Sequence, residues 1–191
     1  MNQTQKKKQS LDMTSGSITK LLIMFAVPLV IGNLFQQLYN TVDSLVVGNF
    51  VGSHALAAVG STGAINFLII GFCMGVCSGF AIPVAQRFGA GDYESLRKYV
   101  ANSVWLCLIF SAVMTLIVSV FCRQILELMQ TPSNIIDQAY SYIFIIFVGI
   151  PVTYLYNITS GIMRSLGDSK TPVYFLLLAS GINIVLDLIF I

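Results

Sequence analysis

The sequence predicts an all-α integral membrane protein, a bundle of about five transmembrane helices. Three observations carry that prediction. Hydrophobic residues make up 56% of the 191 and charged residues 9%, with a mean hydropathy of +0.83, against about 25% charge in an ordinary soluble domain. The apolar residues gather into runs of roughly the 20 residues needed to cross ~30 Å of hydrocarbon. Lys and Arg collect between alternate runs, as they do when one side of a membrane retains positive charge.

Residues 1–17 read as a polar N-terminal segment carrying Lys6, Lys7 and Lys8. The apolar stretch that follows is too long for a signal-peptide core, so the first helix is expected to stay attached. The transmembrane portion, 18–191, contains five runs: Leu21 to Phe50, Leu56 to Ala85, Tyr99 to Leu128, Ile135 to Met163 and Pro172 to Ile191. The fifth stops inside "NIVLDLIFI" without a polar flank, which reads as a truncated chain. With the N-terminus inside, Lys6, Lys7, Lys8, Lys20, Arg87, Arg97, Lys98, Arg164 and Lys170 are cytoplasmic and only Arg123 is outside.

Other features refine the bundle. Gly71, Gly75 and Gly79 at spacing four put small residues on one face of the second helix, where a neighbouring backbone is expected to approach. Pro28 and Pro151 each remove a donor within a span and predict kinks. Cys73, Cys77, Cys107 and Cys122 lie in or beside apolar runs and read as reduced packing residues; Cys73 and Cys77 lack the further Cys or His that a zinc site needs. "RFGAGD" and "RSLGD" read as cytoplasmic turns. The net charge of +2 comes with no basic stripe, which excludes nucleic acid as a partner. No hydrolase triad, phosphate loop or nucleotide fingerprint is present, and His54 reads as a solvated loop residue. The expectation is therefore a non-enzymatic protein without an organic cofactor.

Only two carboxylates fall deep within the runs, Asp43 and Asp187. An ionised group in hydrocarbon costs at least ~2.5 kcal/mol, so each is expected to face a polar interior and is a functional candidate. Asn33, Gln36, Tyr39, Asn40 and Asp43 follow three- and four-residue steps and share one helix face. Asn183 precedes Asp187 by one turn, and the fourth helix offers Thr153, Tyr154, Tyr156, Asn157 and Ser160. These three helices are expected to converge on one wet pocket. Asp187 lies fifteen residues beyond Pro172, about 22 Å at 1.5 Å per residue, which places it with Asp43 in the outer half. Two such carboxylates repel, so the pair is expected to bind a proton or hold a cation, Na⁺ included.

The segment "PLVIGNLFQQLYNTVDSLVVGNFVGSHALAAVG" resembles the first helix and following segment of multidrug and toxic compound extrusion (MATE) transporters. The resemblance continues through "QRFGAGD", "GIMRSLGDSKTP" and "NIVLDLIFI", in the expected order. It implies twelve helices in two six-helix lobes, of which this chain would be an N-lobe lacking its sixth helix and its C-terminal partner lobe. It also implies a cation-coupled (H⁺ or Na⁺) antiporter exporting small amphiphilic, cationic drugs across the plasma membrane by alternating access. By motif position, ion coupling falls on Tyr39, Asp43, Asn157, Asn183 and Asp187, with Gln36 and Asn40 beside them. The competing readings are a lipid-linked oligosaccharide flippase, disfavoured because no basic residue lies mid-span, and a non-transporting structural membrane protein.

Overall fold

The computed structural model describes residues 16–190, apart from the side chains of residues 187, 188 and 190. Most of the polar N-terminal segment, with its three lysines, and Ile191 lie outside the described residues. Seven α-helices follow in order: α1 (Ile18–Val46), extended by a π-helical turn (Val47–Val51), α2 (Ser53–Gly89), α3 (Tyr93–Val120), α4 (Cys122–Leu128), α5 (Ile136–Val148), α6 (Ile150–Ser165) and α7 (Lys170–Phe190). There is no strand among them. By length and hydropathy α1 with its π-turn, α2 and α3 can each cross a membrane, and α5 with α6 makes a fourth span bent by 44°. The apolar α7, 21 residues long, supplies about 31 Å more.

The ends of these helices follow from local chemistry. Gly52, at φ +110°, sits in a region that side chains disfavour and reverses the chain between the π-turn and α2. The Asp92 carboxylate accepts the Ser95 N–H and caps α3. Two predicted runs are interrupted. The third breaks at Phe121, leaving α4 as a short separate helix after α3, where Arg123 pairs with Glu127 at 3.4 Å and Asp137 at 3.5 Å. The fourth breaks at Gly149, and Pro151 opens a new helix instead of bending an existing one. A proline in the first helical turn has no intrahelical bond to lose, which makes it a good helix start. Pro28, by contrast, lies inside the unbroken α1.

The buried core lies between α2, α3, α5 and α6. Cys73, Cys77, Cys107, Ile143, Phe147, Tyr154 and Ile158 form its centre. All four cysteines are buried with free thiols, and Cys77 Sγ lies 3.9 Å from Cys107 Sγ. In lipid no hydrophobic force separates helix faces from their surroundings, so association rests on close approach and interhelical hydrogen bonds. Small residues supply both here. Ser165 Oγ donates to the Ala81 carbonyl at 2.8 Å, and Ser103 Oγ reaches the Phe80 carbonyl at 3.4 Å. A Cβ on Gly161 would stand 3.2 Å from that of Ala81.

The glycine face of α2 does not behave as expected. A Cβ on Gly71, Gly75 or Gly79 would meet nothing within 4 Å, so among the described residues no backbone approaches there. The reason is rotational. Cys73 and Cys77 turn into the core, and residues two positions away lie about 200° round the helix. The close packing falls to the Cys73 and Cys77 face and to Gly161. Replacing Gly161 with Val is expected to cost about 1–3 kcal/mol by overpacking, whereas Gly75→Ala should be neutral or gain up to about 1 kcal/mol of helix propensity. Thermal melts of this chain in detergent check both, and equal losses would remove the distinction.

Candidate functional site

Outside the core, α1 and α7 pair with each other to make a separate wall. Gly32, the one buried residue of α1, permits this pairing, since a Cβ there would press on Val173 at 3.2 Å. Between this wall and the face of α2, α5 and α6 lies a cavity of about 750 Å³. That volume is in the roughly 300–1,000 Å³ range of drug-sized sites.

The cavity wall is amphiphilic. Leu29, Ile70, Met74, Ile146 and Leu176 alternate with Asn33, Gln36 and Tyr39 of α1, Asn66 and Ser78 of α2, and Thr153, Tyr156, Asn157 and Arg164 of α6. Several polar groups are held by the fold. Asn157 Nδ2 donates to the Thr153 carbonyl at 2.8 Å, and the Tyr156 hydroxyl reaches the Pro172 carbonyl of α7 at 3.5 Å. Asn66 Oδ1 is buried without a hydrogen-bond partner. A buried orphan acceptor beside a cavity is available to a ligand donor.

The expected site residues are distributed unevenly. Gln36, Tyr39 and Asn157 line the cavity, as do Asn33, Thr153 and Tyr156. Asp43 is half-buried one turn beyond Tyr39, and both residues are engaged in interactions. Tyr142 of α5 lies within electrostatic reach of the two. Asn183 is half-buried, and its Oδ1 has no hydrogen-bond partner. Asn40 is exposed and lies outside the cavity lining, its amide donating to Gln37 Oε1 at 3.3 Å. Tyr154 faces the core and Ser160 is buried, and neither lines the cavity, so α6 presents only part of its polar inventory there. The Asp187 side chain lies outside the described residues, although its backbone continues α7. Among the described residues no three His, Cys, Asp or Glu side chains converge as a metal site would require.

Three residues escaped the sequence reading. Asn66 is a lone amide in an apolar run, a signal that was available. Tyr142 was not accessible to spacing rules, because the break at Gly149 resets the helical phase between it and Asn157. Arg164 counted as a loop cation, yet it lines the cavity near the C-terminal end of α6.

Membrane-length helices around a drug-sized amphiphilic cavity are the architecture of a multi-pass membrane protein. The MatE family model matches residues 28–189, and the chain belongs to that family. It is 36% identical over 183 residues to the "Probable multidrug resistance protein YoeA" of Bacillus subtilis, covering 96% of this chain and 38% of that protein. It is 24% identical to an "FAD transporter" of Shewanella oneidensis, covering 91% and 38%. Among solved structures, MATE in the straight conformation superposes with a TM-score of 0.86 at 29% identity over 96% of this chain and 41% of its own. MATE in the bent conformation does so at 0.83 and 28%, covering 92% and 39%. The chain thus spans about two fifths of the length of the curated relatives it matches.

In the loop between α6 and α7, Asp168 Oδ1 accepts the Lys170 and Thr171 N–H groups at 3.1 and 3.0 Å and caps α7. Partial burial pushes its carboxyl up, but the hydrogen bonds from Thr171 and Lys170 and the Lys170 charge outweigh that and hold it below the usual carboxylate range. A lowered folded value means the stabilisation is full above the ordinary carboxylate value and is lost as pH falls through the folded one. Asp168→Ala is expected to cost about 1 kcal/mol at neutral pH and to flatten the acid limb of the stability profile. Melts of wild type and variant between neutral pH and pH ~3 test this, and parallel profiles would refute it.

Proposed function

We propose that the chain forms the N-terminal lobe of a cation-coupled antiporter that exports small amphiphilic, cationic drugs across the plasma membrane by alternating access, driven by H⁺ or Na⁺. The observation that carries this reading is the placement of Asp43, a carboxylate at span depth, one turn beyond the Tyr39 that lines the cavity. An ionised carboxylate there is costly, and a bound proton or Na⁺ offsets that cost. Exchange of the cation therefore changes the field at the cavity's outer end, where an amphiphile's ammonium would compete for the same charge. Tyr39, Asn157, Asn183 and Asp187 complete the coupling set, with Gln36 in the cavity wall. Asn40, exposed on α1, is the weakest member. The bend at Gly149 and the thin α1–α7 wall give the lobe places to change shape, and rocking against a second lobe would turn the cavity from one side to the other.

Names of relatives support export of drugs, and helices of membrane length support residence in a bilayer. The flippase reading asks for a cavity that binds a polyanionic head group. One arginine, at the inner end, supplies less charge than a pyrophosphate needs.

Two measurements test the proposal. In the intact transporter, Asp43→Asn should reduce gradient-driven drug efflux from proteoliposomes to the level of empty vesicles while expression is retained, because an amide fills the same space but exchanges no charge. Asp187→Asn should act likewise, and the double substitution should be no worse than either, as residues acting as a unit are strongly non-additive. Full gradient-dependent export by Asp43→Asn sinks the coupling role. For topology, single cysteines at positions 54, 92 and 168 should differ: 54 labels from outside, and 92 and 168 only after permeabilisation. External labelling at 92 would invert the orientation.

A further inference from the structure

We propose that Cys77 and Cys107 form a two-thiol site that captures a trivalent organoarsenic centre between α2 and α3. Both thiols are free, and their sulfurs stand 3.9 Å apart across the contact of the two helices. Cys77 belongs to the wall of the cavity, together with Met74 and Ser78, although only 1% of its surface is exposed. Cys107 lies behind it, beside a void of about 10 Å³ lined by Pro151, Tyr154 and Ile158, which is about the room of one water and gives the pair slack on that side. The cavity wall also carries Ile70, Ile146 and Leu176, side chains compatible with the apolar substituent of an arsenical. The pair is thus reached through a space that admits its ligand.

Ligand number and geometry select the centre. Among the described residues no three His, Cys, Asp or Glu side chains converge, so the ligand set of a structural zinc is lacking. A trivalent organoarsenic centre needs only two sulfurs, because its third bond is to carbon, and thiols favour such soft centres. With bonds of about 2.3 Å, the length of a thiolate bond to zinc, and roughly 100° between them, a pyramidal centre holds its sulfurs about 3.5 Å apart. The observed 3.9 Å then has to shrink by only about 0.4 Å, whereas a disulfide at about 2.05 Å would demand an approach of nearly 2 Å. The reaction balances without an oxidant. Each S–H passes its proton to one arsenic-bound hydroxide, which leaves as water, and two S–As bonds replace two O–As bonds while arsenic stays trivalent. Because the leaving hydroxide takes the proton, neither thiol has to ionise beforehand in the membrane interior. After the first S–As bond forms, the second is intramolecular and therefore strongly favoured. Capture ties α2, a wall of the cavity, to α3.

The test treats the intact transporter in detergent with phenylarsine oxide and reads covalent mass. In wild type, the proteolytic peptides carrying Cys77 and Cys107 should be recovered joined through one phenylarsenic group. Excess β-mercaptoethanol should leave that adduct in place and dimercaptopropanol should remove it, because only a second dithiol competes with a chelating pair. Cys77→Ser and Cys107→Ser should each lower the number of monothiol-resistant adducts by one per chain, and Cys73→Ser should not change it. Absence of the joined peptides in wild type overturns the proposal without recourse to any variant. Loss of the adduct in Cys73→Ser with retention in Cys107→Ser also overturns it, since the arsenic would then bridge successive turns of α2 alone. The readout involves no gradient and no drug, so its outcome is independent of Asp43 as the coupling group.

Discussion

The rest of the fold depends on how closely α6 approaches α2. Where Gly161 faces Ala81 a Cβ would press on the alanine at 3.2 Å, and one turn further on the Ser165 hydroxyl donates to the Ala81 carbonyl. In a lipid surround, where apolar burial gives little preference for one helix face over another, such contacts decide which faces meet. Once α6 is docked on α2 by its small face, Tyr154 and Ile158 point into the core. Thr153, Tyr156, Asn157 and Arg164 are left on the adjacent face, toward the cavity. The cavity is the consequence of that division.

The same division explains why the α1–α7 wall is thin. Gly32 lets Val173 close on α1, and the Tyr156 hydroxyl ties α7 back to α6 through the Pro172 carbonyl. Elsewhere α1 exposes Leu22, Leu34, Leu38 and Leu45, side chains compatible with lipid. A wall held by few contacts beside a rigid core is a natural place for motion, since regions with few packed contacts open at lower free energy than cores. The break at Gly149, where α5 and α6 meet at 44°, divides the span nearest the site into two segments.

Polarity is arranged along the cavity as well as around it. Asp43 and Tyr39 at one end and Arg164 at the other give it a direction that neither charge count nor hydropathy reveals. The loop acids nearest Arg164 do not cancel that direction, because Asp92 and Asp168 are taken up in capping α3 and α7.

The amino-acid sequence by itself determined the helical membrane class, the five apolar runs, the polar stripe of α1 and the family, because each depends on local composition and order. Charge and run length are properties of a segment, whatever it packs against. The helix breaks were half legible: Pro151 marked the bent span, but Phe121 carried no proline or glycine to announce the end of α3. Only the tertiary structure decided which small residues pack. Gly71, Gly75 and Gly79 have the right spacing yet the wrong rotation, since Cys73 and Cys77 claim the core face. It also decided which polar residues share a space. Asn40 follows the same periodicity as Gln36 yet lies outside the cavity lining, while Asn66, Tyr142 and Arg164 join the site from other helices or from beyond a break in phase. Spacing rules hold within one unbroken helix, and a site assembled across helices is set by their relative rotation, which close contacts such as that of Gly161 with Ala81 impose.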